Sequence, residues 1–170
     1  FLNPGNEAFS EVIHSEIYVD KTPLLEYTNK VISTTSKFIC SSRPRRFGKS
    51  ITAEMLSAYY SKGCDSRALF ADYAICKASS FEKHLNQYDV IHFDVQWCMM
   101  DAGNADQVVE YINNGILQEL KEKYGELIPD TVKTAYGAMS YIKAAIGNKF
   151  IVIIDEWDVL IRDEAQNHKV

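Results

Sequence analysis

The feature that most restricts this chain is eight residues long, Arg43-Pro44-Arg45-Arg46-Phe47-Gly48-Lys49-Ser50. It directly follows a short apolar run at 37–42 (KFICSS), which reads as a buried strand, and it opens a helical pattern over 51–60. Strand, loop and helix in that order, with the loop closing on Gly-Lys-Ser, form the setting of a P-loop. Each residue type has its own chemical reason. Gly48 lets the backbone curl closely around an anion, Lys49 carries a point charge to phosphate oxygens, and the Ser50 hydroxyl is a ligand for Mg2+. Backbone N–H groups from Phe47 through Ile51 at the new helix N-terminus complete such an anion site. The loop is degenerate, because Arg43 stands where the first glycine of GxxxxGK[ST] belongs and Pro44 removes one donor. Arg43, Arg45 and Arg46 admit three readings: a phosphate clamp, a local nucleic-acid contact, or a solvated basic turn.

A phosphate loop needs an acidic partner that organises the metal. Residues 149–154 (KFIVII) are the strongest strand signal in the chain, and Asp155-Glu156 follow at its carboxyl end. Ligands of open α/β sheets bind at the carboxyl ends of strands. Asp155 is therefore expected to hold Mg2+ and Glu156 to polarise the attacking water. Trp157, next in line, reads as a core residue or as a neighbour of the base, the core being the simpler choice. The spacing of Lys49 and Asp155, 106 positions, leaves room for helices beyond a simple crossover.

The rest of the chain supports an α/β domain with a mainly parallel sheet flanked by helices. Residues 16–20 (EIYVD) predict a short strand, and Thr22-Pro23 predict a helix start, since Pro at the first helical position costs no hydrogen bond. Residues 69–77 read as a turn with an edge segment, 81–85 as a helix, and 88–95 (YDVIHFDV) as a strand. Val108, Val109, Ile112, Ile116, Leu117 and Leu120 recur at helical spacing over 105–124, and a further helix is expected over 132–146, closed by Gly147-Asn148. His92 and Asp94 alternate with apolar neighbours, as one polar face of a strand does. The remaining histidines carry no ligand pattern, and the charged run 119–123 reads as a solvated helix face.

Composition narrows the classes. A net charge of −5 disfavours nucleic acid as a whole-chain partner, so any such contact rests on the arginines at 43–46. Cys40, Cys64, Cys76 and Cys98 form no CxxC pair, which fits a reducing, cytoplasmic setting better than a disulfide framework. No apolar run approaches the length of a membrane span. The chain opens on Phe1, which suggests a piece of a longer product.

Three strings carry a family resemblance: SRPRRFGKS at 42–50, YVDKT at 18–22 and IIDEWD at 153–158. Together they resemble the bacterial AAA-ATPase-like family, and the likeness covers nearly the whole chain. It implies a P-loop NTPase fold of the additional-strand type, ATP rather than GTP, Mg2+, and in many members a nuclease-like domain of the PD-(D/E)XK kind downstream. It makes Arg43 a family trait, and implies a nucleotide site formed by Arg45, Arg46, Phe47, Gly48, Lys49, Ser50 and Ile51. Under it, residues 1–36 form an N-terminal extension and 37–170 a nucleotide-binding core that ends just after the Asp-Glu strand. The strand expected between the loop strand and the Asp-Glu strand, the sensor residue and an arginine finger would then follow Val170 or come from a neighbouring subunit. The expectation is an incomplete sheet and weak hydrolysis by this chain alone. Asp20 and Lys21 either approach the nucleotide or serve packing and capping.

Overall fold

The computed structural model describes residues 1–42 and 48–162. The chain divides into two compact units, Asn3–Val90 and a second made of Phe1–Leu2 with the chain from Ile91 onward. Among the described residues no helix is long and apolar enough to cross a membrane.

In the Asn3–Val90 unit the helices are α1 (Glu7–Ile13), α2 (Pro23–Val31), α3 (Lys49–Tyr60), α4 (Arg67–Phe70) and α5 (Phe81–His84), with a 3₁₀ turn at Ala74–Lys77. Pro23 occupies the first turn of α2 as its fixed φ predicts. The core of this unit is aromatic. Phe9 stacks on Phe70 at 5.0 Å, Tyr59 meets Phe70 edge-on at 5.4 Å, and Tyr60 meets Tyr88 at 5.6 Å. Buried phenols need partners, and α2 supplies them. The Tyr60 hydroxyl lies 2.6 Å from that of Thr28 and donates to Asn29 Oδ1 at 2.8 Å. Asn29 Nδ2 donates to the Tyr59 hydroxyl, which in turn donates to the Phe81 carbonyl, both at 3.0 Å. These bonds fix the C-terminal end of α3, and with it the direction from which Lys49 and Ser50 emerge.

Two expected strands do not form here. Residues 16–20 are bends and irregular chain, with Ile17 and Val19 85% and 68% exposed. Residues 37–42 are likewise irregular, and Phe38 is 86% exposed. A strand is stable only when a neighbour takes up its backbone groups, and among the described residues none pairs with either run. The segment read as a turn with an edge strand is α4 followed by the 3₁₀ turn, so it adds no strand either.

The second unit holds a two-stranded parallel sheet flanked by helices, a mixed α/β arrangement. Its strands are β1 (Asp89–Asp94) and β2 (Phe150–Asp155); β1 begins at the last residues of the other unit. Between them run α6 (Val95–Ala102), α7 (Ala105–Tyr124) and α8 (Ala135–Ile146). Ile91 of β1 is buried with Ile116 and Leu120 of α7 and Ile142 of α8. The α7 bounds match the helical spacing, while α8 starts at Ala135, where the Thr134 hydroxyl accepts from the Gly137 amide. Helix α6 was not expected. Its cap is Asp94, whose carboxylate accepts from the Gln96 and Trp97 amides, so Asp94 is a helix cap and not simply one side of a polar strand face. The face of α7 read as solvated includes Glu119, which accepts a 2.5 Å bond from the Leu2 amide. Beside it, Leu2 bridges antiparallel to Ile91.

Candidate functional site

Gly48 is the residue from which the site is built. It has φ 72° and ψ 37°, the left-handed conformation that glycine adopts without a Cβ penalty. Its carbonyl accepts from the Thr52 amide at 3.1 Å and from the Thr52 hydroxyl at 3.0 Å, which starts α3. Lys49 and Ser50 are therefore the first two helical residues, with Ser50 exposed and Lys49 and Ile51 half-buried. The first turn of α3 contains no acidic residue. The N–H groups of a helix start, a helix dipole with its positive end there and a lysine together suit an anion. Arg43, Arg45, Arg46 and Phe47 lie outside the described residues. The helix of the expected strand–loop–helix is present; the strand before it is not.

Sequence reasoning left Lys21 undecided, and the structure gives it a position. The Lys21 ammonium donates to the Gly48 carbonyl at 3.2 Å. A Cβ built on Gly48 would lie 2.2 Å from that nitrogen. The backbone beneath Lys21 is pinned on both sides. Asp20 accepts from the Thr22 amide at 2.8 Å and from the Ala74 amide at 3.1 Å, and the Thr22 hydroxyl accepts from the Ile75 amide at 3.2 Å. Thr22 precedes α2 but makes no side-chain cap, because its hydroxyl is turned to Ile75.

The Asp-Glu pair sits in the other unit. Asp155 closes β2, and one of its oxygens accepts from the Glu156 amide at 2.9 Å. Glu156 has φ 50°, a left-handed conformation uncommon for a residue with a long side chain. Its carboxylate accepts from the Arg162 guanidinium at 2.7 Å, and Arg162 also pairs with Asp158 at 3.2 Å. Trp157 is 48% exposed, which corrects its assignment to the core. Strand β2 is not covered on both faces: Ile153 is buried, whereas Val152 and Ile154 are about half exposed.

One comparison with known proteins decides the family. The profile of the AAA-ATPase-like family, described as "Predicted AAA-ATPase", matches residues 4–170. This chain belongs to the AAA-ATPase-like family. No curated protein and no solved structure matches it. The family match spans both units, so it takes in Gly48–Ile51 and Asp155-Glu156 alike.

As a member of the AAA-ATPase-like family, the chain can be tested for fit to a nucleotide and its cation. The left-handed Gly48, the basic residues around it and the acid-free start of α3 fit a phosphate group. Mg2+ bound to phosphates keeps water ligands and needs only one or two protein oxygens. Ser50 and Asp155 are oxygen donors of the right kind. Among the described residues no cluster of three or more His, Cys, Asp or Glu offers an all-protein metal cage. Of the histidines, His84 is buried with its Nδ1 2.6 Å from the Tyr88 hydroxyl, a structural role; His168 lies outside the described residues.

Proposed function

We propose that this chain is the ATP-binding domain of a larger bacterial protein and that it hydrolyses ATP with Mg2+. The observation that carries the reading is the start of α3: a left-handed Gly48, then Lys49 and Ser50, with no acid in the first turn. In this reading the fold is a P-loop NTPase of the additional-strand type. Lys49 neutralises the terminal phosphates, and amides of residues 47–51 cradle them, with Arg45 and Arg46 adding charge. Ser50 and Asp155 hold Mg2+, and Glu156 orients and deprotonates the attacking water. Bound Mg-ATP supplies the phosphoryl group and the cation that offsets the charge developing on it.

Ligand-induced stabilisation tests this directly. A ligand at a hundred times its Kd stabilises a fold by about 2.7 kcal/mol, so millimolar Mg-ATP should raise the melting temperature of the wild-type chain by several degrees. Lys49→Ala should remove that rise while leaving the apo melting temperature in place. A wild-type chain that shows no shift with millimolar Mg-ATP ends the proposal.

A second reading is favoured by one contact. The Glu156 carboxylate accepts from the Arg162 guanidinium at 2.7 Å, so the oxygen expected to face the attacking water is already engaged. The domain would then be an ATP-gated switch with little turnover. In that role it would order a surface for a downstream, nuclease-like domain or for another copy of itself. Turnover measured beside binding in the full-length protein separates the two readings. Loss of hydrolysis with intact binding in Glu156→Gln supports the ATPase. Tight wild-type binding with negligible turnover supports the switch.

A further inference from the structure

We propose that Arg162 is a latch on Glu156: it holds that carboxylate in a resting conformation, and the pair opens in the nucleotide-bound protein before hydrolysis. The latch rests on the reading of Asp155-Glu156 as the acids of an ATPase site, and it makes the hydrolytic and switch readings two states of one domain.

Three observations carry it. The first is backbone conformation. Glu156 has φ 50°, and a residue with a Cβ occupies that region only when its surroundings hold it there. Among the described residues the other two non-glycine residues with positive φ are Asn3 and Asn86, and asparagine tolerates the left-handed region far better than glutamate does. The second is what holds Glu156. Its carbonyl accepts from the Val159 amide at 3.1 Å and its carboxylate from the Arg162 guanidinium at 2.7 Å. Both donors belong to the helical turn at 159–162. Val159 is buried with Val95 and Cys98 of α6 and Val108 of α7, so that turn is anchored and Arg162 is presented from a fixed base. Asp158 also pairs with Arg162, at 3.2 Å, which orients the guanidinium between two carboxylates. Asp155 is turned back as well, one oxygen accepting from the Glu156 amide, so both acids of the pair are engaged by donors of this chain. The third is strength. The Arg162 and Glu156 side chains are 29% and 23% exposed. An ion pair that solvent reaches is weak, and the left-handed backbone it maintains carries a cost of the same small order. The closed arrangement therefore lies only slightly below an open one in which Glu156 relaxes to an ordinary backbone conformation. A ligand with a modest preference for the open state is enough to shift such a balance.

The test uses the full-length protein, with turnover and Mg-ATP affinity measured for wild type, Arg162→Gln, Glu156→Gln and the double variant. Removing a latch raises kcat by the inverse of the open fraction, so Arg162→Gln should turn over several-fold faster with its Kd for Mg-ATP unchanged. The double variant should show none of that gain. Arginine labelling with phenylglyoxal, read by mass spectrometry, follows the latch without turnover. In the wild type a saturating non-hydrolysable Mg-ATP analogue should speed labelling of Arg162 several-fold and leave Arg67 unaffected. If Arg162→Gln binds Mg-ATP normally but turns over no faster than wild type, or more slowly, the latch is overturned while the ATP-binding reading stands. Failure of the wild type to bind Mg-ATP removes both. Should Arg162→Gln fail to fold, the labelling decides, and unchanged Arg162 reactivity with the analogue overturns the latch.

Discussion

Gly48 shows how much a single backbone conformation can settle. At φ 72° any other residue pays for a Cβ that crowds its own carbonyl, and here that Cβ would also collide with the Lys21 ammonium. Gly48→Ala should therefore lower stability by about 1–2 kcal/mol in denaturant melts and displace Lys21 as well. Undiminished stability in that variant would contradict the left-handed assignment. The motif demanded a glycine at this position for a reason internal to the loop. Its neighbour in space, Lys21, lies 27 residues earlier in the chain, and no local pattern announced the contact. Glu156 is the converse case: the Asp-Glu signal was visible at the end of an apolar run, whereas its positive φ and its pairing with Arg162 were not.

At the scale of elements, helices with their own punctuation were the legible parts. The twenty residues of α7 have apolar positions at helical spacing and an Asn104 side chain that caps the Gln107 amide, so its bounds follow from local information. Helix α1 was missed because only Phe9 among its seven residues is buried, which leaves no periodic stripe to detect. Helix α6 was hidden by its position directly after β1, where the β-branched run continues into Val95 and only the Asp94 cap marks the change. The junction of α2 with α3 has a consequence in alkaline solution. Burial, acting against a stabilising hydrogen bond from Asn29, pushes the Tyr59 phenol up to about 12. The unfolded phenol titrates near 10. Because the folded value is the higher one, the contribution is intact below pH about 10 and is lost as pH rises toward about 12. Stability should fall over that window, and Tyr59→Phe should flatten the fall. Denaturant melts at stepped pH, read beside phenolate absorbance, check it; equal slopes in the two proteins would refute the assignment.

For the whole molecule, the class of the fold was readable and the membership of its sheet was not. Alternation of strands with helices led to an α/β arrangement, and the described residues contain one, with β1 and β2 parallel in a single sheet. The apolar run at 37–42 carries as strong a local strand signal as β1 does, yet Phe38 and Ile39 stand exposed. Substituting both by serine should therefore change stability by less than about 0.5 kcal/mol, as surface changes do. A loss of several kcal/mol in thermal melts would show the run to be buried.

From the residues alone came what local interactions control: the glycine, lysine and serine at the start of α3, the Asp-Glu pair after an apolar run, and the helices marked by period and cap. Those features depend on neighbours within a turn or two, where φ, hydrogen bonding and side-chain spacing are enough. Only the tertiary structure decided which apolar runs become strands, that Asp94 caps a helix, and that a clamp at residues 20–22 brings Lys21 to the Gly48 carbonyl. Each of these needs a partner distant in sequence, and a strand without a neighbour, or a lysine without a carbonyl to reach, reads the same in the sequence as one that has found its place.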